Sequence, residues 1–260
     1  MKTTYGETVS VTVEGHVAVV EFSRPPHNFA SVELIRDLAD AMDDIDADRA
    51  LRASVLCSAG KSFCAGADLA SPEGVGGSGM SGVSPLYYQA VRLFSVKKPI
   101  VAAIQGAAVG AGLGLALVAD FRVVAPEARF VSNFVKLGFH PGFGVTYTLP
   151  RVVGEQRASL MCLTGRRIKG EEALAWGLAD AMVPLAEVRA GALALAGELA
   201  ENAPLAVEAT RATLRAGLVE AVRTQTGLEL VEQTRLRATQ DFAEGVRSVN
   251  ERRPGVFIGA

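Results

Sequence analysis

Two short segments rich in glycine and alanine constrain this chain more than any other feature of its sequence. The first covers residues 63–69 (FCAGADL) and the second covers residues 106–114 (GAAVGAGLG). Each follows an apolar, strand-like stretch, turns at glycine and continues in a helix-like pattern. Such turns expose backbone N–H groups at the start of a helix, where the helix dipole favours negative charge. Two of them that converge would polarise one carbonyl oxygen, as an oxyanion hole does.

The composition is typical of a soluble globular protein, with 49% apolar and 21% charged residues. A length of 260 residues allows one large domain, or one domain with a helical appendage. The net charge of −2 offers no basic field for nucleic acid or an anionic membrane.

Three scattered histidines and three cysteines without metal-ligand spacing predict no metal site. Free thiols and the lack of an apolar signal core favour the cytoplasm.

An uncharged run over residues 99–119 is long enough to span a membrane as a helix. However, four glycines and Gln105 interrupt its apolar character, and no aromatic belt flanks it. The run therefore favours a buried strand over residues 100–104, a turn at Gly106 and a buried helix from about Gly110.

Hydrophobic periodicity predicts strand–strand–helix modules up to about residue 185 and only helices beyond it. We therefore expect a core over residues 1–185, which holds the site, and a helical region over residues 186–260, which packs subunits together. A stretch rich in Gly and Ser, residues 71–84, predicts a mobile loop. The other predicted strands are a hairpin over 9–22 and segments 53–57, 121–124 and 130–131. Ser31 is predicted to cap a further helix. The remaining helices are predicted over 85–95, 146–152, 155–163, 168–177 and 185–249. The last of these ranges is expected to have one break, at 202–204.

The two glycine segments resemble the signatures of the crotonase (enoyl-CoA hydratase/isomerase) superfamily. Residues 63–69 resemble the first signature, and residues 98–106 with the glycines that follow resemble the second. Three further segments stand in the order that the family shows: 149–154, 163–165 and 173–178. The resemblance covers roughly residues 8–257. It implies a spiral of ββα modules followed by C-terminal helices, assembled as trimers or dimers of trimers.

The resemblance also implies that the substrate is an acyl-CoA thioester, whose carbonyl oxygen lies between two backbone N–H groups. By motif position these groups belong to Ala67 and Ala111. Arg24 stands where the family often places a cation near the coenzyme A phosphates. Taken alone, the first segment is better explained as a tight strand-to-helix turn with Asp68 near the helix start; the other motifs favour the oxyanion hole. The further residues expected to contact substrate are Ala65, Gly66, Asp68, Leu69, Gly110 and Phe134.

The chain departs from the family at both glutamates that move protons and position water in its hydratases. Gly114 stands at the first of these positions and Phe134 at the second. A positioned acid or base contributes about 10²–10⁴-fold to a rate. Efficient hydration is therefore not expected, and neither is isomerisation that relies on the second glutamate.

Other side chains near this region offer replacements. His140 is a candidate catalytic residue because imidazole exchanges a proton near neutral pH; the alternative is a hydrogen-bonded histidine in a turn. Ser132 and Asn133 could hydrogen-bond substrate or water, whereas a nucleophilic role for Cys64 is disfavoured. Three phenylalanines indicate an apolar acyl pocket or simply core: Phe134, Phe139 and Phe143.

The sequence thus predicts an α/β, crotonase-like spiral and an acyl-CoA lyase or isomerase of fatty acid metabolism that stabilises a thioester enolate or oxyanion. One alternative is an acyl-CoA hydrolase, decarboxylase or C–C lyase assisted by His140, and another is an acyl-CoA-binding protein without turnover. An RNA-binding member of the fold is disfavoured by the net charge. No separate cofactor is expected, since coenzyme A arrives as part of the substrate. The expected partners are the acyl-CoA thioester and further copies of the chain, with no nucleic acid and no membrane.

Overall fold

The computed structural model of the protein describes residues 2–67 and 84–260. Asp68, Leu69 and all but the last residue of the predicted Gly/Ser-rich loop lie outside those ranges. The strands are β1 (Thr4–Tyr5), β2 (Val9–Glu14), β3 (Val17–Phe22), β4 (Ala53–Ser58), β5 (Ile100–Ile104), β6 (Ala107–Val109), β7 (Phe121–Val124), β8 (Arg129–Val131), β9 (Arg167–Lys169) and β10 (Ala181–Met182). The α-helices are α1 (Val32–Ala47), α2 (Pro85–Phe94), α3 (Ala111–Val118), α4 (Val145–Val153), α5 (Glu155–Thr164), α6 (Gly170–Trp176), α7 (Val188–Ala200), α8 (Pro204–Leu214), α9 (Leu218–Arg237) and α10 (Gln240–Asn250).

The strands form two sheets that the chain visits in turn. One sheet has the order β1-β2-β3-β4-β5-β7-β10, antiparallel up to β3 and parallel beyond it. The other has the order β6-β8-β9. The chain passes from β5 to β6 and then into α3, and from β7 to β8 and then into a 3-10 turn over Phe134–Leu137. This repeated passage confirms the predicted α/β spiral of strand–strand–helix modules.

The first elements follow directly from the local sequence. Along β2, buried Val9 and Val11 alternate with exposed residues, as expected for a strand with one face on the core. The Oγ atom of Ser31 accepts a hydrogen bond from the N–H of Leu34 at 3.2 Å, so it caps α1 as predicted. The hairpin and the cap are both confirmed.

One face of the large sheet is covered by α7, a helix of the predicted C-terminal region. Its buried residues recur every fourth position, so they form one stripe along the helix. They pack against buried valines and alanines of β3, β4, β5 and β7. The stripe consists of Val188, Ala192, Ala196 and Ala200.

The uncharged run over residues 99–119 is divided among β5, β6 and α3, which confirms the strand, turn and helix predicted there. In the two ranges that the structure describes, no helix has the length and apolarity needed to cross a bilayer.

Three details of the structure differ from the sequence predictions or were not predicted. Ile168, predicted to open a helix, lies in β9, and the helix begins at Gly170. The helical region after residue 185 has breaks at Gly217 and Thr239 besides the predicted one, because Gly217 has a left-handed φ of 78° and Thr239 caps a new helix. The strands β1, β6 and β10 were not predicted, since two or three residues are too few to show an alternating pattern.

Candidate functional site

The two glycine turns lie side by side. Cys64 pairs with Ala108 in parallel orientation, with the N–H of Cys64 2.9 Å from the Ala107 oxygen and the N–H of Val109 3.0 Å from the Cys64 oxygen. Three residues further along each segment stand Ala67 and Ala111. Both line one cavity of about 350 Å³. The parallel pairing therefore brings to one cavity wall the two residues that the motifs single out.

Glycine is required in these turns for two different reasons. Gly66 and Gly110 have φ angles of 113° and 54°, which residues with a side chain rarely adopt. Gly112 has ordinary backbone, but a Cβ atom there would lie 2.0 Å from the carbonyl oxygen of Cys64. The first two glycines thus shape the turns, and the third lets the turns touch.

The N–H groups of Ala67 and Ala111 are candidate donors for a ligand. Ala111 is the first residue of α3, so its N–H has no acceptor within the helix. Within residues 2–67 and 84–260, no hydrogen bond uses the N–H of either alanine. Two donors at the wall of one cavity can hold an oxygen that gains negative charge.

The predicted contact residues that the structure describes fall into two groups. Ala65, Gly66, Gly110 and Phe134 line the cavity together with the two donor residues. Phe134 is the first residue of the 3-10 turn that follows β8. Arg24 stands just behind the wall: its Nη1 donates to the carbonyl of Phe29 at 3.2 Å, and Phe29 lines the cavity.

His140 and Cys64 are not among the described residues that line the cavity. The imidazole Nδ1 of His140 lies 2.7 Å from the carbonyl oxygen of Pro141, and His140 is absent from the described lining. Cys64 is fully buried, and burial raises the pKa of its thiol to about 11. A thiol that stays protonated is a poor nucleophile, which agrees with the role disfavoured from the sequence.

Sequence reasoning missed several cavity residues because distant helices bring them in. Leu86 and Tyr87 come from α2, and Val249 and Asn250 from the end of α10. No motif marks these positions, and only the packing of the helices identifies them. Other lining residues not assigned to the site beforehand are Phe29, Val109, Leu137 and Gly142.

A phenyl ring fills the space beside Gly114, the position at which the family resemblance implies a hydratase glutamate. Gly114 is buried in α3, and a Cβ atom there would lie 2.6 Å from Cδ1 and 2.7 Å from Cβ of Phe143. Phe143 is fully buried and has a left-handed φ of 64°. No carboxylate lines the cavity among the residues that the structure describes. Position 114 therefore lacks a carboxylate and also the room for one.

A buried carboxylate from α9 holds the chain segment that carries Phe143. Glu229 is 0% exposed, and its oxygens accept from the N–H of Gly144 at 2.7 Å and from the N–H and hydroxyl of Thr146 at 3.0 and 2.5 Å. Gly144 has no side chain with which to cap α4, so Glu229 supplies the cap. Burial raises the pKa of Glu229 from 4.5 to about 7, although these donors oppose the shift.

The raised pKa of Glu229 predicts a specific dependence of stability on pH. Between pH 4.5 and 7 the folded state binds the proton more readily than the unfolded state, so the free energy of unfolding falls as pH rises. Relative to Glu229→Gln, the wild type should lose about 3 kcal/mol across this window. Urea unfolding at several pH values measures the difference, with Glu232→Gln, a partly exposed position on the same helix, as the control. Parallel pH profiles for the wild type and Glu229→Gln would contradict the assignment.

Comparison with known proteins agrees with the fold and the motifs. The model of the family described as enoyl-CoA hydratase/isomerase matches residues 12–259. A Thermus thermophilus protein named "Putative enoyl-CoA hydratase" is 40% identical over 253 residues, which cover 94% of this chain and 98% of that one. The crotonyl-CoA hydratase of Syntrophomonas wolfei is 31% identical over 255 residues, covering 97% and 98%. The crystal structure of an enoyl-CoA hydratase/isomerase from Pseudoalteromonas atlantica matches with a TM-score of 0.87 and 28% identity, over 97% of this chain and 100% of that one.

Proposed function

The chain belongs to the enoyl-CoA hydratase/isomerase family, and on that premise we propose that it is an enzyme that holds the oxygen of an acyl-CoA thioester between the N–H groups of Ala67 and Ala111. The observation that supports the proposal is the parallel pairing of Cys64 with Ala108, together with the lining of one cavity by both Ala67 and Ala111. When a thioester loses a proton or a group at carbon 2, its oxygen gains negative charge. Fixed N–H dipoles stabilise that charge without having to reorganise.

The residues that line the cavity limit the reactions that the proposed oxyanion hole can catalyse. Hydration needs positioned groups that move protons, and Gly114 and Phe134 provide none. Among the described residues the wall carries no carboxylate, while Asp68 and Glu73 belong to the segment outside the description. We therefore do not propose efficient hydration of simple enoyl-CoA thioesters.

This lining favours decarboxylation as a candidate reaction, because it needs an enolate-stabilising hole and no base on the wall. The bond from carbon 2 to the substrate carboxylate breaks, and its electron pair becomes the enolate that the two N–H groups hold. Carbon dioxide leaves, and carbon 2 takes a proton from water. Hydrolysis or C–C cleavage assisted by His140 would require that imidazole to reach the cavity, whose described lining does not include it. Binding without turnover is the remaining alternative.

Hydration of crotonyl-CoA tests the proposal first. We expect turnover at least about 100-fold slower than that of the crotonyl-CoA hydratase of Syntrophomonas wolfei assayed in parallel, since a positioned acid or base contributes 10²–10⁴-fold. The loss of enone absorbance measures the rate. Comparable rates for the two proteins would show that a proton-moving group has been overlooked.

A panel of acyl-CoA thioesters, including malonyl-CoA and methylmalonyl-CoA, then separates an enzyme from a binding protein. Mass spectrometry identifies decarboxylated, hydrolysed or cleaved products. Binding without any product would favour the non-catalytic alternative. For any substrate found, His140→Ala with an unchanged kcat would remove His140 from the mechanism.

We also propose the coenzyme A contact, the oligomeric state and the metabolic context that are expected from the sequence. Coenzyme A enters as part of the substrate, with Arg24 near its phosphates and no separate cofactor. Exposed Leu205 and Leu214 on α8 support subunit packing through the C-terminal helices as a trimer or a dimer of trimers. Light scattering after size-exclusion chromatography tests the assembly. Fatty acid metabolism in the cytoplasm is the proposed context.

A further inference from the structure

The peptide group that carries the Ala67 N–H is held from its carbonyl side. The carbonyl of Gly66 and the N–H of Ala67 belong to one planar unit, so neither turns without the other. The N–H of Ala30 donates to that carbonyl at 2.8 Å, and Sγ of Cys64 lies 3.8 Å from the same oxygen. Glycine itself restrains the turn little, because it adopts the φ of 113° found at Gly66 about as readily as a negative φ. The hydrogen bond from Ala30 therefore fixes the direction in which the Ala67 N–H points.

A short segment, the brace (residues 24–30), supplies this hydrogen bond and runs beside the first glycine turn. Ala30 pairs with Ala67 in parallel orientation. The carbonyl of His27 accepts from the N–H of Ala65 at 3.1 Å. Two backbone hydrogen bonds thus join the brace to the residues that directly precede Ala67. A displacement of the brace changes the direction of the Ala67 N–H.

One buried side chain fastens the brace. Asn28 is 3% exposed, and its left-handed φ of 54° is one that asparagine adopts more often than most residues. Its Oδ1 accepts from the N–H of Arg24 at 2.7 Å. Its Nδ2 donates to the carbonyls of Ala59 and Ser62 at 2.7 and 2.8 Å, which uses both amide hydrogens. Residues 59–62 lead directly into the first glycine segment, so Asn28 joins the brace to the chain that carries the donor.

We propose that Asn28 is a positioning residue of the oxyanion hole: it holds the brace, and the brace holds the Gly66 carbonyl so that the Ala67 N–H points into the cavity. The inference rests on the proposed function, since that N–H must bind the thioester oxygen. In the part of the chain that the structure describes, Asn28 does not line the cavity, so it acts through Ala30 and not on the substrate.

The direction of a donor decides how strongly it binds the oxygen. A hydrogen bond prefers an N–H···O angle above about 150° and weakens steeply below about 120°. A peptide carbonyl that accepts a hydrogen bond also polarises its own N–H, which strengthens the bond that this N–H donates. Loss of the hydrogen bond from Ala30 therefore weakens the contact with the thioester oxygen in two ways, by misdirecting the Ala67 N–H and by reducing its polarity.

The carbonyl stretch of a bound thioester tests the inference on the intact protein. Infrared difference spectroscopy compares butyryl-CoA that carries carbon-13 at carbon 1 with unlabelled butyryl-CoA, which isolates the thioester carbonyl from the protein bands. In the wild type, two fixed donors should lower the stretching frequency below that of free butyryl-CoA in buffer. Asn28→Gly keeps the left-handed backbone and removes the amide, so it should lose most of that shift. For the substrate that the panel identifies, its kcat should fall about 10- to 100-fold, part of the loss that removal of a whole donor causes.

Ser31→Ala is the matched control. It removes the cap of α1 next to Ala30 and leaves the amide of Asn28 in place. This variant loosens the same region and should keep the wild-type shift. Equal shifts in the wild type and Asn28→Gly, or equal losses in Asn28→Gly and Ser31→Ala, would overturn the role of Asn28 and leave the thioester site standing.

The wild type tests the proposed function separately. Absence of binding, or a bound carbonyl without any downward shift, would count against the two-donor site itself. If Asn28→Gly does not fold, Asn28→Ser takes its place, because its hydroxyl supplies one hydrogen where the amide supplied two. Part of the shift should then be lost, and a full wild-type shift in folded Asn28→Ser would overturn the inference.

Discussion

Replacing Ala111 by proline is expected to lower kcat 100- to 1,000-fold for the acyl-CoA substrate that the panel identifies, which is the loss seen when one oxyanion-hole donor is removed. Proline has no N–H, so the hole would keep only the donor of Ala67. The substitution suits its position, because Ala111 is the first residue of α3 and proline is favoured there. The φ and ψ of Gly110, 54° and −113°, are the mirror image of the extended backbone that precedes proline, which glycine adopts without strain.

Ala111→Gly is the matched control, since it keeps the N–H and changes only the side chain. Its kcat should stay within a few-fold of the wild type. Thermal unfolding shows whether both variants are folded. A folded Ala111→Pro protein with wild-type turnover would exclude the Ala111 N–H from the reaction and with it the two-donor site.

Introducing the hydratase glutamate by Gly114→Glu is expected to prevent folding. Its Cβ would lie 2.6 Å from the ring of Phe143, and its carboxylate would be buried without a partner. Gly114→Ala introduces only the first part of this clash, and we expect it to lower the free energy of unfolding by about 1–3 kcal/mol. Denaturant unfolding measures the change.

A double-mutant cycle attributes that loss to the ring. Phe143→Gly removes all of the opposing atoms, the Cβ included, and glycine suits the left-handed φ of 64° at this position, so Gly114→Ala in that background should cost at least about 1 kcal/mol less than in the wild type. Gly197→Ala is the control for a helical glycine, because a Cβ atom there meets nothing within 4 Å. It should be neutral or stabilising, as alanine favours helix over glycine. Additive effects of Gly114→Ala and Phe143→Gly would show that the Phe143 side chain does not occupy this space.

The Phe143 contact limits what the single substitution Gly114→Glu can achieve. The ring is held by its own segment, in which Glu229 binds the N–H groups of Gly144 and Thr146. Making room for a carboxylate at position 114 therefore requires a change in that segment as well. The absence of a glutamate at position 114 and the position of the Phe143 ring are therefore linked, because both side chains would need the same space.

The sequence was sufficient to predict those elements that a few neighbouring residues specify. The alternation of β2, the cap at Ser31 and the two glycine turns are properties of a few neighbouring residues, and each was predicted where it lies. Strands of two or three residues, such as β6, carry no periodic signal, and pairing with β8 alone identifies β6 as a strand. The same limit applies to Ile168, which is held in β9 by its pairing with Phe130.

The sequence by itself determined the family, the two turns that offer N–H groups, and the absence of glutamate at positions 114 and 134. These depend on residue type and on spacing within short segments, which local chemistry governs. Only the tertiary structure decided what surrounds the turns: the ring of Phe143 over Gly114, Glu229 capping a helix from 85 positions away in the chain, and His140 outside the described lining. Contacts of that kind depend on how helices and sheets pack, because packing brings together residues whose separation in the sequence carries no signal of their meeting.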